Sequence, residues 1–306
     1  MKGRLKEKKL LRSIWAHRAL YSMLLPGIIC LILFSYLPLY GILIAFQDYK
    51  ISTGVFGSPW VGFEQFATLF RDHDFAIAIR NTVAINLLKL VFCFPAPILF
   101  AIMLSELRIV GIKKGIQTLS YLPHFFTWVI VAGIFGDLLA SDGTVNAILG
   151  LFGVEPVQFS TEDWFFWPLM VITGTWKEGG WNAIIYIAAL SNVNPELYEA
   201  SEIDGAGRFA KIRYITFPAL MPTLRITLLL SVAGLFNAGF DQIYLFQNPL
   251  ILGVAEVLDT YIYKFGLSNR MYSYATAAGL VQSLVNFTIL ISANTACKKM
   301  TGSGLY

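Results

Sequence analysis

Asn194-Pro195-Glu196-Leu197-Tyr198-Glu199-Ala200-Ser201-Glu202-Ile203-Asp204-Gly205-Ala206-Gly207, running on to Ile215-Thr216-Phe217-Pro218, is a polar stretch set between two long apolar blocks. Asn194 is a good helix N-cap and Pro195 suits the first helical position. Glu196 then lies at the positive end of the helix dipole. Gly205 can adopt the left-handed conformation that ends a helix. A second short helix over about 207–216 carries Arg208, Lys211 and Arg213, and Pro218 is expected to limit its extension. The reading is a helix–turn–helix too short to be a domain, so its meaning depends on what flanks it.

The flanks are apolar on a scale that soluble domains do not reach. Of 306 residues, 56% are hydrophobic and 14% charged, against about 25% charged in a typical soluble domain. The mean hydropathy is +0.63. The apolar residues sit in blocks near or above the roughly 20 residues that cross a bilayer as a helix. A membrane β-barrel would show alternating segments of about ten residues instead. The fold class is an all-α polytopic membrane protein. Six spans are expected, over about 21–46, 81–104, 116–140, 165–189, 220–246 and 272–297, and the opening stretch is a loop over 190–219. Residues 21–300 form one membrane domain, preceded by a basic tail over 1–20.

An even number of spans puts both termini on one side, and charge says which. The tail, the loops near 105–115 and 190–219 and the C-terminus hold fifteen Lys/Arg; the opposite loops hold five, Lys50, Arg71, Arg80, Lys264 and Arg270. Positive charge stays inside, so both termini and the 190–219 loop are expected in the cytoplasm. That distribution accounts for the net charge of +4 without nucleic acid. Leu11, Ile14, Trp15 and Ala19 recur at helical spacing among Arg12, His17 and Arg18, which suits a helix on the inner membrane surface. The run from about 21 to 46 is too long for a cleavable signal and reads as a retained span. Cys30, Cys93 and Cys297 have no paired spacing and read as small buried hydrophobes.

Glu199, Ala200, Ser201, Gly205, Ile215 and Pro218 fall at the spacings of E-A-A-x3-G-x9-I-x-L-P, the cytoplasmic loop of binding-protein-dependent ABC importers. Ser201 stands for the second alanine and Phe217 for leucine. Glu199-Ala200-Ser201-Glu202-Ile203-Asp204-Gly205-Ala206 resembles the E-A-x-x-I-D-G-A form of sugar importers. Leu25-Pro26-Gly27 with Tyr36-Leu37-Pro38, the segment 60–66 (WVGFEQF) and the segment 142–149 (DGTVNAIL) are similar to maltose-type permeases, in the LplB-like polysaccharide branch. The resemblance covers nearly the whole chain. It implies a MetI-like, type I importer permease in the bacterial cytoplasmic membrane, carrying an oligosaccharide or glycan fragment by alternating access. It implies as partners a second, homologous permease, two ATPase subunits docking on the loop, and an extracellular sugar-binding protein. The chain has no G-x-x-x-x-G-K-[ST] phosphate loop. It is therefore expected to bind no cofactor and not to act as an enzyme, with ATP and Mg held by the partner ATPase subunits.

Charged residues inside spans are costly and usually face a bundle interior or water. Lys177 and Glu178 lie mid-span four beside Trp176, Trp181 and Asn182; Asn237, Asp241 and Gln242 lie in span five beside Phe240; Lys89 sits in span two. Sugars need hydrogen bonds and aromatic faces, and these clusters offer both, so Trp176, Lys177, Glu178, Trp181, Asn182, Asn237, Phe240, Asp241 and Gln242 are the candidate substrate path. The plainer alternative is that Lys177 pairs with Glu178 for assembly and the aromatics form interfacial belts. Gly179 and Gly180 favour close helix packing. An ABC permease for a non-sugar solute is the nearest alternative. An ion-coupled secondary transporter is further off, because its repeats are not visible and the loop would go unexplained.

Overall fold

The computed structural model describes residues 17–107 and 109–301. Among these the backbone is helical apart from turns, with one β-bridge between Gln47 and Trp60. Most of the surface helix expected over residues 10–20 lies outside the described residues; described helix begins at Arg18.

Among the described residues, five helical stretches are long and apolar enough to cross a membrane: Arg18–Phe46, His73–Ser105, Trp128–Leu151, Arg208–Ala233 and Tyr272–Lys299. The helices used below are α1 (Arg18–Leu31), α2 (His73–Phe92), α3 (Pro95–Ser105), α4 (Val110–Tyr121), α5 (Trp128–Leu139) and α6 (Thr144–Leu151). They continue with α7 (Asp163–Ser191), α8 (Pro195–Ile203), α9 (Arg208–Lys211), α10 (Phe217–Ala233), α11 (Phe240–Phe246), α12 (Leu258–Tyr263) and α13 (Tyr272–Thr301). The stretch expected as span four is α7, 29 residues long. It is not among the five most apolar because Lys177, Glu178 and Asn182 interrupt it. It can carry them because α2, α3, α4, α5 and α10 all pack against it.

Three expectations about the spans are corrected. No single helix covers 116–140. After α4 the chain tightens to a 3₁₀ turn over Leu122–Phe125 with Pro123 in its first turn. Thr127 is then extended and caps α5, its Oγ1 accepting from the Ile130 N–H. Proline cannot supply the amide that a continuous helix would need there. Nor does one helix cover 220–246: α10 ends at Ala233, and Gly239, at φ +91°, precedes α11. Finally, Pro218 does not stop the helix that begins at Arg208. A π-helical turn over Ile212–Thr216 joins α9 to α10, so one helix runs from Arg208 to Ala233. Widening a turn makes room for a residue that lacks the usual i−4 bond.

The core lies around α7. Phe166, Leu169, Met170, Lys177, Ala183 and Tyr186 form its buried stripe. Its N-terminal half packs with Ile85 and Ile243, its C-terminal half with Ile98, Ile102 and Leu220. A separate cluster joins Leu69 and Phe75 to Leu258, Tyr261 and Tyr274. In the first span, by contrast, only Ala45 is buried.

Candidate functional site

The 194–218 loop is built as its residues suggest. The Asn194 side chain caps α8, accepting from the Glu196 N–H at 3.1 Å, and Pro195 takes the first helical position. Gly205 sits at φ +75°. Its N–H donates to the Glu202 carbonyl (3.1 Å) and the Ala206 N–H to that of Ser201 (2.9 Å), the paired bonds of a Schellman ending. Two side-chain contacts fasten α8 to the long helix: Lys211 Nζ donates to Glu202 Oε1 at 2.6 Å, and the Tyr198 and Thr216 hydroxyls lie 3.1 Å apart. Glu199, Ala200, Asp204 and Pro218 are exposed, Ser201, Ala206 and Ile215 half-buried. Ile203 is 88% exposed, and Leu197 and Phe209 are exposed as well. The loop therefore presents apolar side chains on a rigid, capped scaffold.

The far end of that helix meets the break at 234–239, whose backbone groups need partners away from water. Side chains from three helices supply them. Asn86 and Lys89 of α2 donate to the carbonyls of Leu235 and Ala238, both at 2.8 Å. Asp259 of α12 accepts from the Ala238 N–H at 3.0 Å. On α13, Gln282 donates to the Phe236 carbonyl at 2.6 Å, and Asn286 accepts from the Phe236 N–H at 3.1 Å. Gln282 also bonds Asp259 (2.8 Å) and Asn237 (3.2 Å).

Lys177 answers the other break in the same way. It is 6% exposed, and its Nζ donates to the His124 carbonyl (2.8 Å) and to Glu178 Oε1 (3.0 Å). His124 Nδ1 lies 2.7 Å from Glu178 Oε2, and the imidazole stacks on Trp181 at 4.3 Å. The span-four charges thus tie α7 to the turn at Pro123.

A cavity of about 720 Å³ opens between α2, α3, α7 and α10. Of the candidate path residues, Trp181, Asn182 and Asn237 line it. Trp181 keeps 38% of its surface exposed. Trp176, Lys177, Glu178, Phe240, Asp241 and Gln242 lie off it. Trp176 packs edge-on to Phe135 at 5.6 Å, and Asp241 is exposed in the first turn of α11. Gln242 is buried, donating to the Met170 carbonyl and Thr173 Oγ1 and accepting from Lys89. Phe240 stacks on Tyr244 and borders a second cavity of about 900 Å³, beside Leu39 of the first span.

The first cavity also includes Asn86, Lys89, Thr227 and Ser231. Except for Lys89, these were missed in the sequence because an isolated uncharged polar residue in an apolar block does not stand out as a charge does. Spacing was the available signal: Asn86, Lys89 and Cys93 recur at i, i+3, i+7, and Thr227, Ser231 and Gly234 at i, i+4, i+7. Each trio marks one helix face.

A helical bundle whose cavity sets a lysine and several amides and hydroxyls among apolar side chains, with a stiff, exposed loop at the foot of one helix, defines a membrane transport subunit. The chain belongs to the family described as the binding-protein-dependent transport system inner membrane component, whose model matches residues 94–300. It is 41% identical over 302 residues to the polygalacturonan/rhamnogalacturonan transport system permease protein YteP of Bacillus subtilis strain 168, covering 98% of this chain and 94% of that one. It is 42% identical over 289 residues to protein LplB of the same organism, covering 94% and 91%. Among solved structures it matches a bacterial ABC transporter involved in import of the acidic polysaccharide alginate. The TM-score is 0.90 and the identity 38%, with 96% of this chain and 99% of that one covered. The same importer is known in complex with an alginate pentasaccharide-bound periplasmic protein.

Proposed function

We propose that this chain is one permease subunit of an ATP-driven importer that carries an oligosaccharide or glycan fragment across the bacterial cytoplasmic membrane. In this reading α7 is the fourth of six spans, and both termini and the 194–218 loop face the cytoplasm. A second, homologous permease completes the pathway, two separate ATPase subunits bind ATP and Mg, and an extracellular binding protein delivers the sugar. Trp181, Asn182 and Asn237 border the substrate path, while Lys177, Glu178 and Gln242 hold the bundle around it.

The observation that carries the proposal is the unbroken helix from Arg208 to Ala233. One end emerges from the capped loop, and the other adjoins Gly234 and Asn237 at the cavity. At 1.5 Å per residue it spans on the order of 40 Å, so a partner that moves the loop moves one wall of the cavity. The names of the relatives, for pectic and other glycans, support sugar over other solutes.

The test is ATPase activity of the whole complex in lipid, with and without its binding protein and candidate oligosaccharides. Stimulation by one liganded binding protein, lost in Gly205→Pro and Glu199→Lys, is the expected result. Proline cannot adopt φ +75°, so the first variant destroys the turn. Solute movement by this chain without any ATPase would overturn the reading.

A further inference from the structure

Among the described residues lining the 720 Å³ cavity, Lys89 is the one carrying full charge; the rest are neutral, with no aspartate or glutamate. Its Nζ donates to two uncharged acceptors, the Ala238 carbonyl (2.8 Å) and Gln242 Oε1 (2.7 Å). An ammonium has a third N–H to give. Lys177 differs, with the Glu178 carboxylate at 3.0 Å. The acid that faces Lys89 from the packed helices is Asp259, whose two oxygens accept from the Ala238 N–H and from Gln282. A cation held among spans without a bonded counter-charge is costly, and an anion entering the cavity offsets that cost.

We infer that Lys89 makes this cavity selective for saccharides that carry a carboxylate, such as uronate oligosaccharides. The inference rests on the reading of the cavity as the sugar path. The carboxylate takes the third ammonium N–H as a charge-assisted bond. Asn86, Asn182 and Asn237 offer amides to hydroxyls, and the exposed part of Trp181 offers an apolar surface to a pyranose ring. A neutral sugar can use the amides and the indole, but offers the ammonium only an uncharged acceptor and so makes the weaker bond.

The experiment measures affinity for the assembled transporter in lipid discs, without binding protein, so that only the membrane subunits choose. The probes are trigalacturonate and its methyl ester, which keeps the shape and removes the charge. In the wild type the acid is expected to bind about tenfold tighter, the scale of one charge-assisted bond. Lys89→Gln removes the preference, so that acid and ester bind alike, while Lys89→Arg keeps it. Because Lys89 also holds the break, a second measurement needs no variant: raising salt weakens binding of the acid and not of the ester. Equal binding of acid and ester by the wild type overturns the inference, and so does a preference that survives in Lys89→Gln. If neither probe binds the wild type, the sugar-path reading fails and this inference with it.

Discussion

At the scale of single residues, the clearest electrostatic device is Asp72, which caps α2 by accepting from the Asp74 N–H at 2.9 Å. Its other oxygen accepts from the Tyr261 and Tyr274 hydroxyls at 2.5 and 2.8 Å. Burial pushes the carboxyl's pKa up, but the two hydroxyls and the N–H groups of Asp74 and Phe75 outweigh it and hold it below the ordinary value. A depressed carboxyl pKa contributes stability that is present above the unfolded value and lost as pH falls through the folded one. Asp72→Asn is therefore expected to melt a few degrees lower than wild type near pH 6. The gap should close as pH falls below the ordinary carboxylate range, where the wild-type carboxyl protonates. Thermal unfolding in lipid across that range checks it; a gap independent of pH would assign the effect to shape alone.

At the scale of elements, close packing decides one prediction. A Cβ on Gly180 would lie 2.1 Å from the Ser120 carbonyl oxygen, whereas on Gly179 it would meet only the Thr175 methyl at 3.7 Å. Gly180→Ala must push α7 away from α4 and is expected to cost about 1–3 kcal/mol, while Gly179→Ala melts within a degree or two of wild type. Comparing the two melting curves tests the register of that contact. The pair was readable in the sequence as a close-packing site, although not which glycine makes the contact. The breaks after Tyr121 and Ala233 were not readable. Pro123, Gly234 and Gly239 are local breakers. Proline and glycine are tolerated inside membrane helices, so they do not by themselves tell a helix from a helix, a turn and another helix. What marks the breaks is polar residues on distant helices: Lys177 for the first, and Asn86, Asp259, Gln282 and Asn286 for the second. Their partners are many positions away in sequence, so no local pattern links them.

At the scale of the whole molecule, the loop and the cavity act as one body only if α8 stays fastened to the helix behind it. Lys211→Met with Tyr198→Phe removes the Glu202 and Thr216 contacts while leaving the Schellman turn intact. In the assembled complex this pair is expected to keep basal ATP hydrolysis and to lose several-fold of its stimulation by liganded binding protein; unchanged stimulation would show the contacts to be idle. The loop was legible because capping and turn chemistry are local, so Asn194, Pro195 and Gly205 each announce their backbone geometry. The cavity was only partly legible. Charge drew attention to Lys177 and Glu178, which hold the bundle together, while the cavity wall sets neutral Asn, Thr and Ser and one lysine among Leu, Ile and aromatic side chains.

The π-helical turn over Ile212–Thr216 makes Pro218 a place where the rod is continued instead of cut, and that has a consequence in leverage. A rod on the order of 40 Å long, tilted by about 5° about one end, swings its other end through roughly 3 Å. That is about the length of a hydrogen bond. The bonds that Asn86 and Lys89 make to the Leu235 and Ala238 carbonyls, both 2.8 Å, lie just beyond the swinging end. A nudge too small to unfold anything at the loop is enough to unlatch the wall of the cavity.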